Sequence, residues 1–142
     1  MRQTTSPLDG TATDPRDWPD ELDALVAAPG NHQLLLENDR VRVIRTTVAI
    51  GATTPVHTHR WPSVEYVLSA TAFVRRDASG SVVFDSRTAE APLHATEALW
   101  SDPFPPHSVE NVGSEELRVI MVELKGAEDT RMQAKTELRP AN

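Results

Sequence analysis

An antiparallel all-β sandwich or barrel is the fold class this 142-residue chain predicts, and three observations predict it. From residue 33 to residue 125, short runs rich in Val, Ile, Thr, Leu and Tyr alternate with Gly, Pro, Asp and Ser punctuation. No helical pattern is interleaved between those runs, which argues against a parallel α/β sheet. The length suits one domain with one sizeable core.

The elements follow in order. Residues 1–17 are polar, rich in Thr, Asp and Pro, and without periodicity, as expected of a flexible or surface-draped arm. Residues 19–28 predict one short helix. Pro19 suits its first position, Asp20 and Glu21 favour the positive end of the dipole, and Leu22, Leu25 and Val26 share a face. Pro29-Gly30 ends it, and its expected role is a lid with its leucine face on the barrel. Candidate strands are 33–37, 41–50, 64–68, 72–76, 81–85, 97–100, 108–111 and 117–124, with His57-Thr58-His59 at the start of a further strand after Pro55-Val56. Asp77-Ala78-Ser79-Gly80 and Val112-Gly113-Ser114-Glu115 read as hairpin connections. The tail is charged and weakly helical through Met132, Ala134 and Leu138. The expected organisation is an acidic arm and helix over 1–32, a barrel over 33–125 and a tail over 126–142.

Composition narrows the chemistry. The chain has no cysteine, so disulfides, thiolate nucleophiles and Cys-based metal sites are excluded. Any metal must be held by imidazole, carboxylate or water. The net charge of −7 is uneven: residues 1–39 carry eight acids against Arg2 and Arg16, whereas the rest is nearly neutral. No clustered basic stripe is present, so nucleic acid is not an expected partner. The amino terminus lacks the apolar stretch of a secretory signal, and no run approaches the roughly 18 apolar residues of a membrane span. A cytoplasmic location without membrane contact is the expectation.

Five histidines remain as the chemically informative residues. Strand alternation puts His57 and His59 on one face with backbones about 6.6 Å apart. Two imidazoles so placed can converge on one ion, and neutral nitrogen donors suit Fe, Mn, Ni, Co, Cu or Zn. His32, beside Asn31 in the turn before the first barrel strand, reads as a surface residue. His94, next to Pro92-Leu93, reads as structural or exposed, and Asn111 as a loop-fixing hydrogen-bond donor.

The segment Gly51-Ala52-Thr53-Thr54-Pro55-Val56-His57-Thr58-His59, with Glu65 downstream, resembles the first cupin motif. Pro105-Pro106-His107-Ser108-Val109-Glu110-Asn111 resembles the second, a histidine followed four positions later by asparagine. The resemblance spans about residues 34–125. It implies a cupin-type jelly-roll β-barrel, RmlC-like, with inward histidines and often a homodimer. It also implies one divalent transition metal on His57, His59 and His107. Two departures bear on the ligand set. Five residues separate His59 from Glu65, where the family places three or four, so Glu65 is either a displaced fourth ligand or an interior carboxylate with a partner. In the second motif Phe104 and Asp102 stand where the family has glycine and proline.

Around such a site, Arg60, Trp61, Tyr66, Trp100 and Phe104 are the candidates for a small-molecule pocket. Arg60 is placed to meet a substrate carboxylate or phosphate, or else to pair with a surface acid. The resemblance implies a metalloenzyme acting on a small polar molecule, with dioxygenase-like chemistry favoured by analogy over decarboxylase or isomerase chemistry. The alternatives are a non-catalytic ligand or metal sensor and a metal-independent, isomerase-like cupin. The last would need a basic pocket, for which Arg60, Arg75 and Arg76 are the few candidates.

Overall fold

Nine strands and one short helix make up the computed structural model, which describes residues 14–90 and 93–126. The strands are β1 (His32–Glu37), β2 (Val41–Val48), β3 (His57–His59), β4 (Ser63–Ser69), β5 (Phe73–Asp77), β6 (Val82–Asp85), β7 (Ala98–Ser101), β8 (Phe104–Asn111) and β9 (Leu117–Leu124). They form two antiparallel sheets, β1-β2-β9-β4-β7 and β3-β8-β5-β6. The expected all-β jelly-roll architecture is therefore present. Residues 1–13 of the arm and 127–142 of the tail lie outside the described residues. Among the described residues, no helix is long and apolar enough to cross a membrane.

The register follows from which residues can be buried. β2 and β9 pair along their whole length, Arg42 opposite Glu123, Ile44 opposite Met121, Thr46 opposite Val119 and Val48 opposite Leu117. Alternation turns these pairs inward, where Val48, Leu117, Val119 and Met121 join Phe73 in the apolar cluster between the sheets. A slip of one residue would exchange that row for Arg118, Ile120 and Val122, so burial pins the register. β4 continues the pattern, Glu65 opposite Met121 and Val67 opposite Val119.

Asp77–Gly80 forms the predicted hairpin between β5 and β6, whereas the hairpin predicted over 112–115 is corrected: β8 and β9 belong to different sheets, so this turn carries the chain from one sheet to the other. Asp77 accepts from the amides of Ser79 and Ser81, and Gly80 takes φ +94, a conformation that L side chains resist. In the β8–β9 turn, Asn111 donates to the carbonyls of Val48 and Glu115 and accepts from the Gly113 amide. That is the loop-fixing role its position suggested. A Cβ on Gly113 would collide with Thr71 and the Ala72 backbone, so the turn also needs glycine for close approach.

The predicted helix over 19–28 is corrected. A 3-10 turn covers Asp20–Leu22 and α1 only Ala24–Ala27, with Asp23 extended between them. Asp23 caps α1 through the Leu25 amide, bridges Thr58 of β3, and grips Arg42 with both oxygens. As the N-cap, with ψ 143, Asp23 has a non-helical backbone, so the two helical turns do not join. Leu22 and Ala24 are buried as a result, whereas Val26, expected on the packed face, is 61% exposed.

Candidate metal centre

Four imidazoles meet at one end of the space between the sheets. β3 contributes His57 and His59, β8 contributes His107 opposite His57, and β1 contributes His32. All four are buried. The tightest group is His32, His57 and His59, whose ligand nitrogens lie within 4.8 Å of one another. That approaches the about 3–4 Å spacing of nitrogens each about 2.1 Å from one ion. His107 stands beside them, its ring centroid 4.4 Å from His57 and 5.7 Å from His59. The surface reading of His32 is thereby corrected. Its pairing opposite Thr46 turns the ring inward, to 4.6 Å from His57 and 5.2 Å from His59.

Each ring is oriented by its second nitrogen. Nδ1 of His57 lies 2.8 Å from the Pro55 carbonyl, that of His107 2.8 Å from the Pro105 carbonyl, and that of His32 3.0 Å from the Ala28 carbonyl. Nδ1 of His59 lies 2.8 Å from Glu123 Oε2. Carbonyl and carboxylate oxygens only accept, so each Nδ1 carries the proton and donates it. Nε2 is then a lone pair in all four rings, and none has a protein hydrogen-bond partner among the described residues. His32 Nε2 is fully enclosed and orphaned. A buried acceptor without a partner is costly, and a metal ion satisfies it.

Burial also keeps the rings neutral. It lowers His57 to about 3, with the neighbouring His59 and His32 adding to the effect. His59 and His107 are held well below the usual histidine range for the same leading reason, and burial lowers His32 as well. Neutral imidazole is the form that binds a metal. The donor set therefore fits one divalent transition ion.

Behind His59 runs a buried polar chain that sequence reasoning missed. Glu123 accepts from His59 on one oxygen and, at 2.7 Å, from Arg42 Nε on the other. Arg42 in turn donates to both oxygens of Asp23, at 3.0 and 2.9 Å. Burial opposes the charge on Asp23, but Arg42 and the Leu25 amide outweigh it and hold the carboxyl below its ordinary range. Burial pushes Glu123 up while Arg42 pulls it down. The carboxylate is the form that both of its donors require. The available signal was a charge at an inward position of each apolar strand, Arg42 before Ile44 and Glu123 after Met121.

The cavity in front of the imidazoles encloses about 230 Å³. Its floor is apolar, with Val48, Val67, Phe73, Leu117, Val119 and Met121. Phe104, Trp100 and Glu65 also line it. Glu65 faces in from β4, accepts from Ser101, and burial raises its carboxyl above the usual range. It lies outside the tight histidine group. Trp100 stands at the rim, 58% exposed, with its indole N–H on Asp102. Arg60, Trp61 and Tyr66 are placed away from the cavity wall. Arg60 pairs with Asp20 and the Trp18 carbonyl, Trp61 lies under Arg42 and Lys125, and Tyr66 has outward parity between Glu65 and Val67. His94 is exposed.

A cupin domain from Bordetella pertussis Tohama I superposes with a TM-score of 0.55 at 20% identity, covering 67% of this chain and 92% of that one. This chain has the cupin fold. An RmlC-like cupin with a double-stranded β-helix fold from Methanocaldococcus jannaschii is also similar (TM-score 0.49, 10% identity, 70% of this chain and 84% of that one). So is the polyketide cyclase RemF from Streptomyces resistomycificus (TM-score 0.47, 22% identity, 70% of each chain). No family profile and no curated protein matches the sequence. Within the cupin frame, His57 and His59 occupy the first-motif strand and His107 the second, whereas His32 comes from β1, outside either motif.

Proposed function

We propose that this cupin is a metal-dependent protein, most simply an enzyme, acting on a small molecule held between its sheets. The observation that carries the reading is the shared orientation of four buried imidazoles, each with Nδ1 committed to an oxygen and Nε2 left open. His57, His59 and His107 would hold one divalent ion, with His32 as the fourth nitrogen. Such an ion supplies Lewis-acid polarisation and, if redox-active, electron chemistry.

The chain's own residues do the rest. The apolar floor excludes water and positions the body of the ligand. Glu65, half-buried and held by Ser101, would hold or pass a proton on the cavity wall it shares with the histidines. This assigns Glu65 the role of interior carboxylate, with the nitrogen of His32 in place of a fourth oxygen ligand. Dioxygenase-like chemistry, the activity expected by analogy, would call for a redox-active ion such as iron at this site.

Metal analysis by mass spectrometry on untagged protein, purified without chelator, tests the reading. The expected result is near-stoichiometric transition metal, and a melting temperature that falls on chelation and recovers on reconstitution. Protein that takes up no metal after reconstitution would overturn it. The reading includes a cytoplasmic homodimer, supported by exposed Leu35, Leu36 and Trp100 on the edge strands β1 and β7. Light scattering should give twice the monomer mass, and a clean monomer would refute that part alone.

A further inference from the structure

Among the described residues, Arg75 is the only arginine or lysine on the cavity wall. Alternation along β5 turns Phe73 and Arg75 toward the cavity and leaves Arg76 to pair with Glu110 at 2.8 Å. The Arg75 guanidinium packs against three rings, 4.8 Å from the centroid of Phe104, 5.3 Å from Phe84 and 5.8 Å from Phe73. Among the described residues its side chain makes no hydrogen bond and no ion pair. Arg42 supplies the contrast within the same protein, with three hydrogen bonds to two carboxylates. Burial lowers the pKa of Arg75, and only the charge of Glu65 acts against that. Yet Glu65 is hydrogen-bonded to Ser101 rather than to Arg75.

A guanidinium carries five N–H donors in a planar fork. Rings stabilise its face but accept nothing from its edge, and Arg75 is half-buried, so its donors are left to water until an acceptor enters the cavity. The surroundings define that acceptor. One cation balances one negative charge, and with no second lysine or arginine on the wall among the described residues, a pyrophosphate or a sugar nucleotide is disfavoured. The floor is apolar, and about 230 Å³ lies below the about 300–1,000 Å³ of drug-sized ligand sites. Phe104 touches Arg75, His59 and His107, with ring centroids 5.9 Å from His59 and 5.1 Å from His107. A head group on Arg75 is thus one ring's width from the imidazoles.

We propose that Arg75 is the anion-recognition residue of the cavity and that the occupant is a small carboxylic acid with an apolar body. This deepens the reading of the cavity as a small-molecule site. It rests on the wall of the cavity and not on the metal, so the two can fail separately.

The test is calorimetric titration of the full chain, metal-loaded and metal-stripped, with benzoate, phenylacetate and hexanoate, each beside its neutral amide. At least one carboxylate is expected to bind about tenfold or more tightly than its amide in both forms, as bidentate charge-assisted hydrogen bonds would give. Arg75→Gln should remove that preference while metal content is unchanged, and Arg75→Lys, which keeps the charge without the fork, should fall between. Should Arg75→Gln fail to fold, Glu65→Gln reads the same site in the opposite direction. Removing the competing carboxylate should tighten carboxylate binding several-fold, and unchanged or weaker binding there counts against the proposal. Equal affinity for acid and amide, a preference that survives Arg75→Gln, or a preference present only with metal bound would overturn it. An intact preference in a protein that holds no metal leaves this site standing and removes only the metal reading.

Discussion

Glu123→Ala is expected to cost about 3–5 kcal/mol of stability, the range for removing one partner of a buried charge pair. Glu123 is fully buried at an inward position of β9, between Arg42 at 2.7 Å and His59 at 2.8 Å. Its loss would strip the Arg42 Nε and the His59 Nδ1–H of their acceptors at once and leave a void where the carboxylate was. Arg42 would keep Asp23, but its charge would be balanced from one side only. Glu123→Gln has the same shape but turns an amide NH₂ toward one of two donors. It should destabilise less and instead weaken metal binding about 10–100-fold, as loss of a supporting hydrogen bond to a metal-ligating histidine does. Urea denaturation with an unchanged m-value would report the first effect, and competition with a chromophoric chelator the second. A loss below about 1 kcal/mol for Glu123→Ala is what an exposed ion pair gives and would contradict the buried network.

His57→Ala should abolish metal retention. Its ring is central to the cluster, 4.6 Å from His32, 5.1 Å from His59 and 4.4 Å from His107. Removing it takes away one donor and separates the remaining three. The fold should survive, because among the described residues the only hydrogen bond of the ring is to the Pro55 carbonyl of its own segment. The expected outcome is metal below detection by mass spectrometry and a melting temperature that no longer responds to added metal. Retained stoichiometric metal would sink the site. Two companions settle the fourth donor. His32→Ala should lower affinity by more than the about 10–100-fold of a supporting residue, and Glu65→Gln should keep the metal. The reverse pattern would make Glu65 the ligand.

The strand map was legible because burial imposes a period of two that a chain cannot hide. In β9, Leu117, Val119 and Met121 face the core, and the predicted bounds 117–124 match the strand. The Asp77–Gly80 turn and the contacts of Asn111 with Gly113 and Glu115 were legible for a related reason, since these side chains act on backbone only a few residues away, whereas the bond from Asn111 to the Val48 carbonyl is a tertiary contact. The helix over 19–28 breaks at Asp23, which caps α1 and bridges Thr58 of β3, 35 positions on, a tertiary contact that no local pattern announces. Arg60 and Trp61 were placed near the site by adjacency to His59, but a strand end directs neighbouring side chains to different faces. Arg60 went to Asp20 and Trp61 to Arg42 and Lys125.

By itself the sequence determined that this is an antiparallel β-protein of the cupin kind without cysteine chemistry, and that His57 and His59 share a face two residues apart. Only the tertiary structure decided that His32 joins them, that Glu123 and Arg42 stand behind His59, and that Arg75 faces the cavity with no hydrogen bond or ion pair among the described residues. Spacing along a strand sets which side chains lie on the same side. Which strands then stand next to one another depends on pairing between distant segments, as with Arg42 and Glu123, 81 residues apart, and that is settled by burial of the whole core rather than by any local run of residues.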